Sequence, residues 1–294
     1  MTQPILVAFS PESADRGPVN FAVAASRFTS SPLVVVAVGA DAGALASLES
    51  ELRSSGVTAT VRTEEHGGPA HALAHAVQEL SPGLVVVGST HRGKLGRVLR
   101  GSTADHLMKD SRCPVVVVPC GHEVHADRVR AVGAAFVPTA EGREALQAAA
   151  LLARSAGARL EAVMVLSPKH AGEQSPGMMA QAHHDRDAAE DITARDHLAA
   201  EDALRDALAA SAPDLGVEPD VLFQDAAHGL VAASERLDLL VMGSAAHGSA
   251  GVLALGGTVR DVTASAGCPV LVLPRGGAAQ IEALVPAAAA KAAT

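Results

Sequence analysis

The sequence has no tryptophan, no tyrosine and only five phenylalanines in 294 residues. Its core therefore comes from Val, Leu, Ala and Ile, a composition that suits buried parallel strands under Ala-rich helices. Cysteine is equally scarce. Cys113, Cys120 and Cys268 form an odd set without a CxxC, which argues against a disulfide framework and points to a reducing cytoplasm. The net charge is −9 and no long basic run interrupts it, so binding to a nucleic-acid backbone has little to rest on. No apolar run approaches a membrane span, and the opening MTQPILVAF lacks the basic region of a signal peptide.

What the chain does have is a repeat. Residues 88–119 and 243–274 align without a gap at an offset of 155. Gly88 falls on Gly243, Gly93 on Gly248, Gly101 on Gly256, Thr103 on Thr258, and Cys113-Pro114 on Cys268-Pro269. Apolar runs, Leu84 to Val87 and Leu239 to Met242, precede the two copies. Each copy reads as strand, glycine-bearing loop, short helix, turn and strand. The period is too long for a solenoid, so each copy belongs to a whole domain, and the chain is long enough for two.

The first half alternates strand and helix. Strands are expected at residues 5–9, 33–38, 57–61, 84–87 and 115–118. Helices are expected around Phe21 to Phe28, at 41–54, at 69–80 behind Pro69, and at 102–109. The pattern restarts at Ala131, where the offset is 127, so the second half carries 28 additional residues before its glycine loop. Most of that gain lies between residues 167 and 211, and its first part, 167–188, is turn-rich and expected to be the most mobile internal segment. A charged helix follows to about residue 210, with Ile192, Ala199, Ala203 and Ala207 on one stripe. The expected layout is a domain at 1–120, a linker at 121–127, a second domain at 128–275, and an Ala-rich tail at 276–294, frayed or disordered. Alternating strands and helices predict an α/β fold of two tandem Rossmann-like, doubly wound domains. Each is a parallel sheet with helices on both faces.

The glycine loop after the fourth strand and the Cys-Pro-Val-x-Val final strand resemble the universal stress protein family, in tandem form. The resemblance implies five strands per domain in the order 3-2-1-4-5. It also implies a role in stress response, and binding of ATP or a related adenine nucleotide, with or without Mg²⁺, between the first and fourth strands. It implies an internal pseudo-dimer in which the two final strands meet, and leaves room for a homo-oligomer. The implied binding positions are Ser10, Val38, Gly88, His91, Arg92, Gly93, Gly101, Ser102 and Thr103 in the first half. In the second they are Gly243, Gly256 and Thr258. The family pattern is Gly, two residues, Gly, nine residues, Gly, then Ser or Thr. His91 and Ala246 stand where it has its second glycine, and Gly257 where it has Ser or Thr. Ser10 and Val137 stand where nucleotide-binding members have an acid.

The residues carry their own chemistry. A phosphate wants backbone N–H groups at a helix start, and glycine lets the chain come close. Gly101-Ser102-Thr103 offers both, although Ser102 with Asp105 and Thr258 with Asp261 also have the spacing of helix caps. His91 either donates to a phosphate or fills the pocket. Arg92, Lys94, Arg97 and Arg100 make a local positive patch that favours an anion or is simply a solvated face. Gly88-x4-Gly93-Lys94 fails as a P-loop because Leu95 replaces the Mg²⁺-binding hydroxyl. His71 and His228 recur at matching places, as orienting groups or as helix-surface residues. His122, His125, His183 and His184 lack companions at metal-ligand spacing, so no metal is assigned. No nucleophile elbow, Ser-His-acid set or carboxylate pair is visible, which leaves at most a slow ATPase. Two readings remain: a weak adenine-nucleotide module centred on the first half, or a scaffold of the same fold that has lost the nucleotide and acts through partners.

Overall fold

The computed structural model describes residues 3–11, 15–64, 69–89, 107, 111–122, 128–166, 186–244 and 256–286. The first half contributes β1 (Ile5–Phe9), α1 (Gly17–Thr29), β2 (Leu33–Val38), α2 (Ala42–Ser55), β3 (Ala59–Glu64), α3 (Pro69–Leu80), β4 (Leu84–Gly88) and β5 (Val115–Val118). The second contributes β6 (Ala131–Phe136), α4 (Ala140–Ala156), β7 (Arg159–Leu166), α5 (Arg186–Ser211), β8 (Pro219–Phe223), α6 (Ala226–Ser234), β9 (Leu239–Gly243), α7 (Gly257–Ser265), β10 (Val270–Leu273) and α8 (Gly277–Leu284).

The ten strands of the described residues form one sheet in the order β3-β2-β1-β4-β5-β10-β9-β6-β7-β8. Each half is parallel and winds 3-2-1-4-5. The halves join where β5 runs antiparallel to β10, with Val115, Val116 and Val117 opposite Val272, Leu271 and Val270. Both strands are apolar along their whole length and lie at most 1% exposed. An all-valine edge left open would template aggregation, and the twofold pairing removes it. Burying each such side chain is worth roughly 1.5–3 kcal/mol against leaving it in water.

Side chains alternate between two faces. Ile5, Val7, Phe9, Val132, Ala134 and Phe136 pack with α1, α2, α4, α5 and α8 on one face. Leu6, Val85, Val87, Leu240 and Met242 pack with α3, α6 and α7 on the other. Helix ends follow local chemistry. Asp41 caps α2 by accepting from Ala44 N at 2.7 Å, and Gly56 ends it in the left-handed region at φ 73°.

Three expectations need correction. β3 begins at Ala59 rather than residue 57, because it pairs with β2 only from Leu33 opposite Ala59 onward. On α5 the buried stripe is Ala200, Leu204, Ala207 and Leu208. Ala199 is exposed, since the two leucines at i, i+4 bury more apolar surface than alanines can. The start of the tail is neither frayed nor disordered. Residues 277–284 form α8, with Ile281 and Leu284 fully buried and the Leu284 carbonyl accepting from Ser31 Oγ at 3.1 Å. The mobility expected of residues 167–188 and the helix expected at 102–109 fall almost wholly outside the described residues.

Candidate functional site

In an open parallel sheet, ligands enter where the winding reverses, at the carboxyl ends of the strands. In the second half that point lies between β6 and β9, which pair in parallel while β7 and β10 continue outward on either side. A cleft of about 310 Å³ opens there. Its walls are largely apolar: Ala135, Val163 and Val165 from the sheet, Leu230 from α6 and Met242 from β9. Gly243, Ser244, Thr139, Glu141 and the start of α7 supply its polar edge.

Tight backbone packing shapes that edge. A Cβ at Gly142 would lie 2.0 Å from the Val137 carbonyl oxygen, and one at Gly243 would lie 2.7 Å from the Glu141 carbonyl oxygen. Both positions therefore require glycine, and together they bring the end of β9 against the first turn of α4. Thr139 caps that helix through Gly142 N. Glu141 is 8% exposed and accepts from Arg275 Nε at 2.9 Å and Nη2 at 2.6 Å. Its own backbone N–H at the helix start, and then the Arg275 guanidinium, hold its carboxyl below the usual range against the opposing effect of burial. The pair brings charge to the cleft wall without net charge.

At the opposite lip α7 begins. Its N-cap is Gly256, extended at φ −69° and ψ 166°, with no side-chain hydrogen bond. The first-turn amides of Gly257, Thr258 and Val259 thus have no partner within the helix, and among the described residues no atom lies within 4 Å of a Cβ placed at Gly257. The capping role expected for Thr258 does not hold. The residue sits inside the helix, and a cap must lie before it with non-helical backbone.

Gly243, Gly256 and Thr258 are thus brought together in one cleft. Ser10, Val38 and Gly88 lie at the carboxyl ends of the neighbouring strands β1, β2 and β4, at the corresponding point of the first half. Gly88 is again a close approach, since a Cβ there would meet Pro18 Cγ at 2.9 Å. Behind it, Ser89 Oγ accepts from Cys120 N at 3.0 Å. His91, Arg92, Gly93, Gly101, Ser102 and Thr103 lie outside the described residues. Sequence reasoning missed Thr139, Glu141, Ser244 and Arg275. The Thr139-x-Glu141 spacing just after the first strand was the available signal for two of them. Val137, in the acid's position, is 48% exposed at the mouth. His71 and His228 are both exposed on helices, the surface reading of the repeated histidine. Both thiols are buried, and burial drives the Cys113 thiol pKa well above its usual range and that of Cys268 up to about 12, which disfavours the thiolate.

A model of the universal stress protein family matches residues 37–119 and 130–274. The chain belongs to the universal stress protein family. It does so as a tandem member, one matched segment in each half. Universal stress proteins of Mycobacterium tuberculosis and Mycobacterium bovis are 30% identical over 86 residues, 29% of this chain. The match spans only 30% of the length of those curated relatives. A universal stress protein of Pseudomonas aeruginosa superposes with a TM-score of 0.69 at 20% identity, covering 95% of this chain and 96% of that one. One from Archaeoglobus fulgidus gives 0.64 at 17% identity, covering 94% and 100%. These two likenesses show the fold. Among the described residues no helix is long and apolar enough to cross a membrane.

Proposed function

We propose that this tandem universal stress protein is a binding module for an adenine nucleotide, held weakly at the switch-point crevices and without fast hydrolysis. The observation that carries the reading is the second-half cleft. It combines an apolar slot for a planar base with a helix start whose first amides have no side-chain cap among the described residues. The residues fit a phosphate better than a ribose. Val137 offers no carboxylate to a sugar hydroxyl, and Glu141 already holds Arg275.

Affinity in this reading comes mainly from phosphates, and charge ranks the two halves. No Lys or Arg lies between Gly243 and Gly256, whereas Arg92, Lys94, Arg97 and Arg100 lie in the matching loop of the first half. The first half therefore fills first, and the second half is the weaker, more apolar site. Ligand-observed NMR with ATP tests the second site on the full chain. Gly257→Leu places a side chain at the cleft mouth, where a Cβ meets no described atom within 4 Å, so it should erase the weaker event and leave the stronger one. Unchanged binding of both classes by that variant would remove the cleft from the account.

A further inference from the structure

A second cavity lies at the opposite edge of the sheet, where the first-half strands begin. It measures about 540 Å³ and is bounded by Gln3 ahead of β1, Ser81 and Pro82 ahead of β4, and Ser111 to Cys113 ahead of β5. Val77 and Gln78 of α3 form one wall, and Gln280 of α8 closes it from the second half. Three glutamines, an arginine and two serines are thus among the residues that line a slot with aliphatic sides.

Its polar groups are incompletely used. Gln280 Nε2 donates to the Arg112 carbonyl at 3.0 Å, which fixes the orientation of that amide. Among the described residues Gln280 Oε1 has no donor, although it is shielded from solvent, and Gln3 Oε1 is in the same condition. A buried acceptor without a donor is destabilising, so a donor brought in by a ligand would relieve both amides. The Arg112 side chain is exposed and forms no ion pair among the described residues. Cys113 does not compete for a ligand, because its thiol donates to the Pro82 carbonyl at 3.0 Å.

The duplicated half treats the same place differently. Leu237, the counterpart of Pro82, is buried against Gly133, the counterpart of Leu6, where a Cβ would lie 2.3 Å from Leu237 Cδ1. Gly267 stands in place of Arg112, and its N–H donates to Ser234 Oγ at 2.9 Å. In the second half this floor is filled and satisfied. In the first it is open, polar and carries a positive charge.

We propose that this cavity is a separate small-molecule site, for a planar, N–H-bearing molecule of mononucleotide size with one anionic group. The carboxamide oxygens accept from the planar edge, as glutamine does with amino-bearing bases. Val77, Leu107 and Pro82 flank its faces, and Arg112 takes the anion. Because α8 belongs to the second half, the occupant touches both halves.

The test is a titration of the full chain, labelled with ¹⁵N, using adenosine 5′-monophosphate, adenosine and inorganic phosphate as probes. The monophosphate should shift the side-chain amide of Gln280 and the backbone amides of Arg112 and Cys113 in a saturable way. Adenosine should bind about tenfold more weakly, in keeping with loss of one charge-assisted contact. Arg112→Ala, a surface change that leaves the fold intact, should bring the monophosphate down to the adenosine level, and Gln280→Leu should abolish the shifts. Shifts confined to the β6–β9 cleft and its first-half counterpart would overturn the proposal. So would an Arg112 response to phosphate alone with Gln280 unmoved, or identical monophosphate binding by Arg112→Ala.

Discussion

Glu141→Gln tests how the second-half cleft is held together. The carboxylate is 10% exposed and receives two N–H groups from Arg275, itself 40% exposed. Hydrogen bonds to charged groups contribute ~1.5–3 kcal/mol when well shielded. The exposed guanidinium pulls this toward the ~1 kcal/mol ceiling of a surface pair. The substitution should therefore cost about 1–2 kcal/mol at neutral pH, within those bounds. Its pH dependence has a definite sign. The folded pKa of Glu141 lies below the ordinary 4.5, so its stabilisation is complete above that value and is lost as pH falls through the folded one. Urea unfolding of both proteins at several pH values should show a gap that is constant at neutral pH and narrows as pH falls below the ordinary 4.5. In strong acid the wild-type side chain is a neutral hydrogen-bonding group, as glutamine is. An equal gap at pH 3 and pH 7, or no gap at all, would refute the reasoning. The same substitution removes one negative charge from the cleft wall, so ATP binding to the second half should tighten rather than weaken.

Other outcomes follow from the same geometry. Thr258→Ala should change stability by less than about 0.5 kcal/mol, whereas Thr139→Ala should cost about 1 kcal/mol, because only Thr139 is a cap; denaturant midpoints of the two variants decide this. Leu271→Ala, in the middle of the β5–β10 seam, should cost ~2–5 kcal/mol, and calorimetric unfolding should show both halves weakened together. Two independent transitions, only one of them shifted, would contradict the shared sheet. Gly243→Ala should be destabilising by thermal unfolding, since its Cβ meets backbone rather than a movable side chain.

The fold was legible because the signals agreed with one another. Short apolar runs located eight of the ten strands of the described residues, one of them with a shifted start, and the family resemblance implied the twofold pairing of β5 with β10. What the sequence hid was tertiary. The register against β2 decides where β3 starts, and the choice between alanine and leucine stripes on α5 depends on the surface it meets. Docking of α8 required knowing that Gly83 and Ser31 of the other half lie beneath it. At the cleft, the glycines were visible as glycines, and the structure adds which backbone each approaches. The Glu141–Arg275 pair spans 134 residues, and no local pattern announces such a contact.

The most direct measurement of the account is calorimetric titration of the full chain with ATP at low and at raised salt, repeated on Ser102→Ala and Arg100→Ala. A phosphate-led site without a ribose-binding acid predicts weak heat that declines with salt and declines further in both variants, with the nucleotide recovered intact. No heat at any salt, or tight binding indifferent to salt and to both substitutions, would contradict it.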